Sequence, residues 1–244
     1  MERLNHDFIV LNMNTHKTPG WFSIIAQLTP WAAICFFSYT AFYNPDLMAL
    51  YLSKDHIAGG GLIENLTVIV LLPGIAAGLY TFIKSRSVIQ PGWTAYWLLL
   101  WTLACIYFAG EEVSWGQWYF QWETPDRISE INDQNETNFH NMSTWLDQKP
   151  RTLVELWIFL AGMAYPLFRL LFNKQLTGWK QWFFPVKAMV SSGMFYTLVR
   201  FAGWSDDLEF AEMVGSSELR EFCVALFLSL FLISYTARIK RVPA

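Results

Sequence analysis

Glu111 and Glu112 stand side by side where a long apolar run gives way to FAGEEVSWGQW. Consecutive helical residues point about 100° apart, so the two carboxylates face different neighbours. If the helix continues, Glu111, Ser114 and Trp115 share a face and Glu112 lies near Gly116. Two acids at the edge of lipid suit general acid–base chemistry and metal ligation equally. The plainer reading is a polar helix end beside interfacial aromatics, since Trp115, Trp118, Tyr119 and Trp122 come next.

Three further positions could join them. Glu64, in GGGLIENLTVIV, enters an apolar run, where an ionisable group costs free energy unless it faces a polar cavity or reaches water. His140, in ETNFHN, is the one of four histidines set among closely spaced acid and amide side chains. Asp206 opens an acidic run with Asp207, Glu209 and Glu212, followed by Glu218 and Glu221, a pattern that usually marks a solvated surface. The candidates for catalysis are Glu111, Glu112, Ser114 and His140. Those for metal ligation are Glu64, Glu111, His140 and Asp206, with Gln117 and Asn138 to orient substrate or water. Histidine with carboxylates suits a divalent zinc, manganese or iron ion.

The elements that must hold these groups are membrane helices. Of 244 residues, 54% are hydrophobic and only 15% charged, against roughly 25% charged in soluble domains. The apolar residues fall into six blocks, about 21–43, 62–83, 93–110, 153–172, 182–202 and 222–236. Each approaches the roughly 20 residues that cross a bilayer. The fifth is the weakest, interrupted by Pro185, Lys187 and Ser191-Ser192-Gly193. Pro73 and Pro166 predict kinks in the second and fourth. The expected fold is an all-α integral membrane protein: one domain over 1–244, a bundle of about six transmembrane helices with a polar external cap over 111–151.

Charge sets the orientation. Eleven of the 17 lysines and arginines map to one set of helix ends and six to the other. The positive-inside rule then places both termini in the cytoplasm, with residues 1–20 as a cytoplasmic tail. Eighteen of the 20 acidic residues map to the opposite, external face. No basic stripe suits nucleic acid. Cys35, Cys105 and Cys223 all lie in apolar blocks, with no paired spacing for a disulfide or zinc site. Walker A, HExxH, GxSxG and GxGxxG patterns are absent.

The string GEEVSWGQ, then WETP, then NETNFHN, together with Glu64, resembles a family of uncharacterised bacterial multi-pass inner-membrane proteins. The likeness covers about a third of the chain and implies location rather than activity. A weaker likeness is to the alkaline-ceramidase-like membrane hydrolases, which gather a Ser, an Asp and three His around zinc. Ser114, one external acid and His140 would fill three of those places. His56 alone could supply one of the two missing histidines.

The leading expectation is a metal-assisted hydrolase or transferase acting on a lipid-linked substrate at the external membrane face. The alternative is a non-enzymatic accessory or scaffold subunit that docks a membrane-protein partner. An ion-coupled transporter ranks third, because its ionisable groups should lie near the bilayer midplane. An enzyme predicts that Glu64, Glu111 and His140 converge on one pocket; a scaffold predicts that they point outward separately.

Overall fold

In a computed structural model of the protein, the described residues are 18–52, 61–130, 137–138, 144–203 and 216–239. His56, His140 and the acidic run of Asp206, Asp207, Glu209 and Glu212 lie outside them. Among the described residues there are helices and no strands. Helix α1 spans Gly20–Tyr43, α2 Pro45–Leu52, α3 Leu62–Ser85 and α4 Trp93–Glu112. Helix α5, Thr144–Trp157, passes through a π-helical stretch, Ile158–Ala164, into α6, Tyr165–Leu171; α7 is Val190–Ala202 and α8 Ser217–Ile239. Five stretches are long and apolar enough to cross a bilayer: α1, α3, α4, Lys149–Leu171 and α8. At a rise of about 1.5 Å per residue, each reaches the roughly 30 Å of the hydrocarbon slab or close to it.

The last helix is the axis of the bundle. Its spanning window is 83% buried, whereas the other four are between 22% and 39% buried. The outward faces of those four carry exposed Ile, Leu, Phe and Trp, as a lipid-facing surface should. Small residues bring α3 against its neighbours. A Cβ on Gly74 would fall 2.6 Å from the Ser229 Cα of α8, and one on Gly78 would strike Thr102 of α4. A polar bond closes the same seam: the Thr81 and Thr236 hydroxyls lie 2.6 Å apart. Helix α3 runs on through Pro73 without a break.

The fifth apolar block departs from a continuous helix. It is a single turn at Lys180–Phe183, an extended link at Phe184 and Val186, a 3₁₀ turn at Lys187–Met189, and then α7. It still travels from one end of the bundle to the other, since Gln181 meets Arg238 near the end of α8 and Arg200 meets Glu155 near the start of the Lys149–Leu171 span. Open backbone at membrane depth survives only where protein satisfies it. Here side chains supply the donors. Arg238 bonds the Gln181 carbonyl, the Tyr235 hydroxyl bonds that of Trp182, the Trp97 indole bonds that of Phe183 at 3.3 Å, and Arg169 bonds that of Pro185 at 3.1 Å. This explains why Arg169 and Arg238 are buried in a membrane bundle, at 4% and 1% exposure.

Pro166 acts differently from Pro73. Proline has no N–H to give the carbonyl four residues back, and its ring crowds that carbonyl. The carbonyl in question belongs to Gly162, inside the π-helical stretch that precedes α6. Gly193 of α7 packs directly on it: a Cβ there would lie 2.6 Å from the Gly162 oxygen. A widened, π-helical turn therefore precedes Pro166, with a glycine-to-glycine contact beside it.

Candidate functional site

Three helices frame a cleft of about 200 Å³ at the end of the bundle where α4 finishes and α5 and α8 begin. Helical spacing puts one stripe of each on its wall. Helix α4 supplies Ala104, Phe108, Glu111 and Glu112; α5 supplies Pro150, Arg151 and Val154; α8 supplies Glu221, Val224 and Leu228. The charged members occupy the helix ends and the apolar members lie deeper, so the cleft is amphipathic along its length.

Arg151 is the hub of the charged rim. Its Nη1 lies 2.8 Å from Glu221 Oε1 on α8, and its Nε bonds Glu155 Oε1 one turn along α5 at 3.2 Å. Glu155 extends to Arg200 of α7 at 3.9 Å and has the Tyr196 hydroxyl as an electrostatic neighbour. The network thus ties α5, α7 and α8 together. Sequence reasoning passed over Arg151, Glu155 and Arg200 as site residues and weighed Glu221 only as one member of an acidic run. The available signal was their position: each begins or ends an apolar block at the acid-rich end.

The adjacent glutamates have different environments, as their angular separation requires. Glu111 is 5% exposed. Its Oε1 accepts the Trp115 indole N–H at 2.6 Å, and the Tyr107 hydroxyl also bonds it. Glu112 has no hydrogen bond or ion pair among the described residues, yet it lines the cleft. Its electrostatic neighbours are the carboxylates of Glu221, Glu218 and Glu64 and the guanidinium of Arg151. Three helices, α3, α5 and α8, therefore turn charge toward Glu112, and most of it is negative.

Helix α4 does not continue past Glu112, contrary to the extrapolation that set Glu111, Ser114 and Trp115 on one helical face. Ser114, Trp115 and Gly116 take φ of 45°, 56° and 99°, left-handed backbone that stops the helix. The reversal swings the Trp115 ring back over Gly110, where an added Cβ would lie 2.8 Å from it. The Glu111–Trp115 contact is made by this turn, and Gly110 leaves room for it.

Ser114, Gln117 and Asn138 come together with one another rather than on the cleft wall. The buried Ser114 hydroxyl accepts from the Trp118 indole at 2.9 Å and from Asn138 Nδ2 at 3.4 Å. Gln117 donates to Thr124 Oγ1 at 2.8 Å and accepts the Thr137 N–H at 2.6 Å. This knot fastens residues 137–138 onto the turn after α4. Thr137 and Asn138 belong to the polar string NETNFHN.

Glu64 caps the start of α3 by accepting the Gly61 N–H at 2.8 Å. The next residue, Asn65, accepts from the Tyr119 hydroxyl. Burial, and then the Glu64 charge, push the Tyr119 phenol above its ordinary value.

The expectation of a metal centre finds no support. Among the described residues no three His, Cys, Asp or Glu side chains are placed to hold an ion. Glu64 and Glu111, two of the four proposed ligands, are turned to N–H donors instead. The other two, His140 and Asp206, lie outside the described residues. Glu64 and Glu112 do approach each other, whereas convergence with His140 falls outside what the structure describes. Comparison with protein-family models, curated proteins and solved structures gave no match.

Proposed function

We propose that this multi-pass membrane protein is an enzyme, a hydrolase or transferase, that takes a lipid-linked substrate into the cleft at its acidic end. The observation that carries this reading is Glu112: a carboxylate without a hydrogen-bond partner among the described residues, at the polar mouth of an otherwise apolar cleft. Such a group can accept or deliver a proton. Arg151 and Glu221 flank it, and Glu111 beside it is turned to the Trp115 indole and the Tyr107 hydroxyl. The apolar walls suit an acyl or prenyl chain better than a soluble metabolite.

The basic-residue bias supports placing this end outside, with both termini in the cytoplasm. The GEEVSWGQ and NETNFHN strings support membership of the bacterial inner-membrane family they resemble.

The test is reconstitution in vesicles of total bacterial membrane lipid, with a desalted and a complete soluble extract supplied in parallel. Lipids are compared by mass spectrometry against Glu112→Gln and against Glu123→Gln, a surface control. Wild type and Glu123→Gln should consume one lipid species and form another; Glu112→Gln should not. Identical lipid profiles for wild type and protein-free vesicles would overturn the enzyme reading. One observation favours the scaffold alternative in that event: the network from Glu221 through Arg151 and Glu155 to Arg200 braces three helices without any ligand.

A further inference from the structure

We propose that Arg151, Arg200 and Arg220 form a binding site for a phosphate group at the mouth of the cleft; that this phosphate is the substrate's head rests on reading the cleft as the site of a lipid-linked substrate. The three guanidiniums come from α5, α7 and α8. Arg151 and Arg200 are engaged, Arg151 with Glu221 and Glu155 and Arg200 with Glu155. Arg220 is different. Its side chain makes no hydrogen bond or ion pair among the described residues, and its Nε is a buried donor with no acceptor. Its electrostatic neighbours are the guanidiniums of Arg151 and Arg200 and the carboxylates of Glu155 and Glu221. Both carboxylates already bond Arg151, so in this group three cations face two anions that are in use.

Arg220 stands where stability alone would not put it. It lies in the first turn of α8, where the helix macrodipole disfavours a cation. It adds a third guanidinium beside two others, and it desolvates a donor without pairing it. Local rules are broken in this way mainly at functional sites. An anion resolves all three costs at once: it supplies the acceptor and the counter-charge, and a helix N-terminus favours it. A phosphate suits the place better than a carboxylate, because guanidiniums from three helices can each bond a separate oxygen. The site is open to a ligand, since the Arg151 and Arg200 side chains are 28% and 33% exposed and Arg220 is partly exposed. Arg151 and Glu221 also line the cleft, so the chain behind a phosphate held here meets Phe108, Val154, Val224 and Leu228.

The test is binding to the full-length protein in maltoside micelles, which contain no phosphate, with protein-free micelles subtracted. The probes are decyl phosphate, decanol and inorganic phosphate at neutral pH. Decyl phosphate should bind saturably, at least about tenfold more tightly than decanol, and Arg220→Gln should weaken it by about tenfold, the loss of a charge-assisted hydrogen bond. Decyl phosphate should also raise the melting temperature of the wild type more than that of Arg220→Gln. Arg220→Lys, which keeps the charge and loses the fork, serves if the glutamine variant does not fold, and should weaken binding too. Leu228→Trp fills the apolar part of the cleft; it should weaken decyl phosphate and leave inorganic phosphate unchanged. Inorganic phosphate bound as tightly as decyl phosphate, and lost in Arg220→Gln, would support the phosphate site and overturn its link to a lipid head. Decyl phosphate bound no more tightly than decanol, or equally by wild type and Arg220→Gln, would overturn the site; if Leu228→Trp still abolishes that binding, the lipid-substrate reading stands. No amphiphile binding that Leu228→Trp blocks would overturn the lipid-substrate reading itself.

Discussion

Arg151 on α5 meets Glu221 on α8 across the mouth of the cleft, Nη1 to Oε1 at 2.8 Å, while Glu112 beside them has no such partner among the described residues. One carboxylate is thereby neutralised by structure and the other is left for chemistry. The two roles have separable consequences.

Removing Arg151 should damage the fold more than removing Glu112. Arg151→Ala leaves Glu155 and Glu221 without their shared cation, although both retain some access to water. A loss of about 1–3 kcal/mol is expected, between the values for exposed and buried pairs. Glu112→Gln should leave the melting temperature unchanged or raise it, because it removes one member of a like-charged group. Thermal melting in one detergent, at low and high salt, compares them. A larger loss from Glu112→Gln than from Arg151→Ala would reverse the roles given to these residues.

Gly193→Ala should destabilise the bundle by about 1–3 kcal/mol, because the new methyl meets the Gly162 backbone rather than a side chain that can turn away. Gly20→Ala, which meets nothing within 4 Å, is the matched control. Equal melting of the two variants would show that α7 does not press on the π-helical stretch.

The broken fifth crossing depends on its side-chain donors. Tyr235→Phe leaves the Trp182 carbonyl without its hydroxyl partner. Trp97→Phe does the same to the Phe183 carbonyl and also changes the stack of Trp97 on Phe183, centroids 4.6 Å apart. A buried acceptor left unmade costs about 1–3 kcal/mol. Hydrogen exchange of the backbone over 180–190 should quicken in both variants; unchanged exchange would mean that these carbonyls find their stability elsewhere.

Tyr119 gives a pH dependence. Its phenol is raised above the ordinary value, by burial first and by Glu64 second. The folded protein thus holds this proton more tightly than the unfolded chain does. The contribution is complete below the ordinary tyrosine value of about 10 and is lost as pH rises through the higher folded value. The ultraviolet tyrosinate difference between wild type and Tyr119→Phe should titrate above that value, and Glu64→Gln should bring it down. No movement in Glu64→Gln would remove Glu64 from the neighbourhood of Tyr119.

Composition and block length made the membrane bundle legible, because the hydrophobic slab demands runs of a given length whatever the packing. The interruption at Pro185 was legible too. Its resolution was not, since donors as distant in sequence as Trp97 and Arg238 satisfy the open carbonyls. Glu111 and Glu112 were found as a helix-end pair beside aromatics. Which of them faces the cleft was hidden, because it depends on the left-handed turn at 114–116 that swings Trp115 onto Glu111. Arg151 was passed over, and Glu221 was weighed only as part of an acidic run, because each looks like an ordinary interfacial charge until α5 and α8 are set side by side. Ser114 was picked out for catalysis and Gln117 and Asn138 for orienting substrate; Ser114 bonds Asn138 and Gln117 bonds the neighbouring Thr137, so the three fasten residues 137–138.

The most direct measurement asks whether Glu112 is a reactive carboxylate reached through an apolar path. Dicyclohexylcarbodiimide enters from the membrane and modifies protonated carboxyl groups held in apolar surroundings. Peptide mass spectrometry after brief treatment of the protein in membranes locates the adduct. Glu112 should be modified first, ahead of the hydrogen-bonded Glu111 and ahead of Glu123 and Glu130, and an amphiphile that fills the cleft should protect it. An unmodified Glu112, or modification spread evenly over Glu111, Glu112, Glu123 and Glu130, would contradict a lipid-accessible acid–base site at this position.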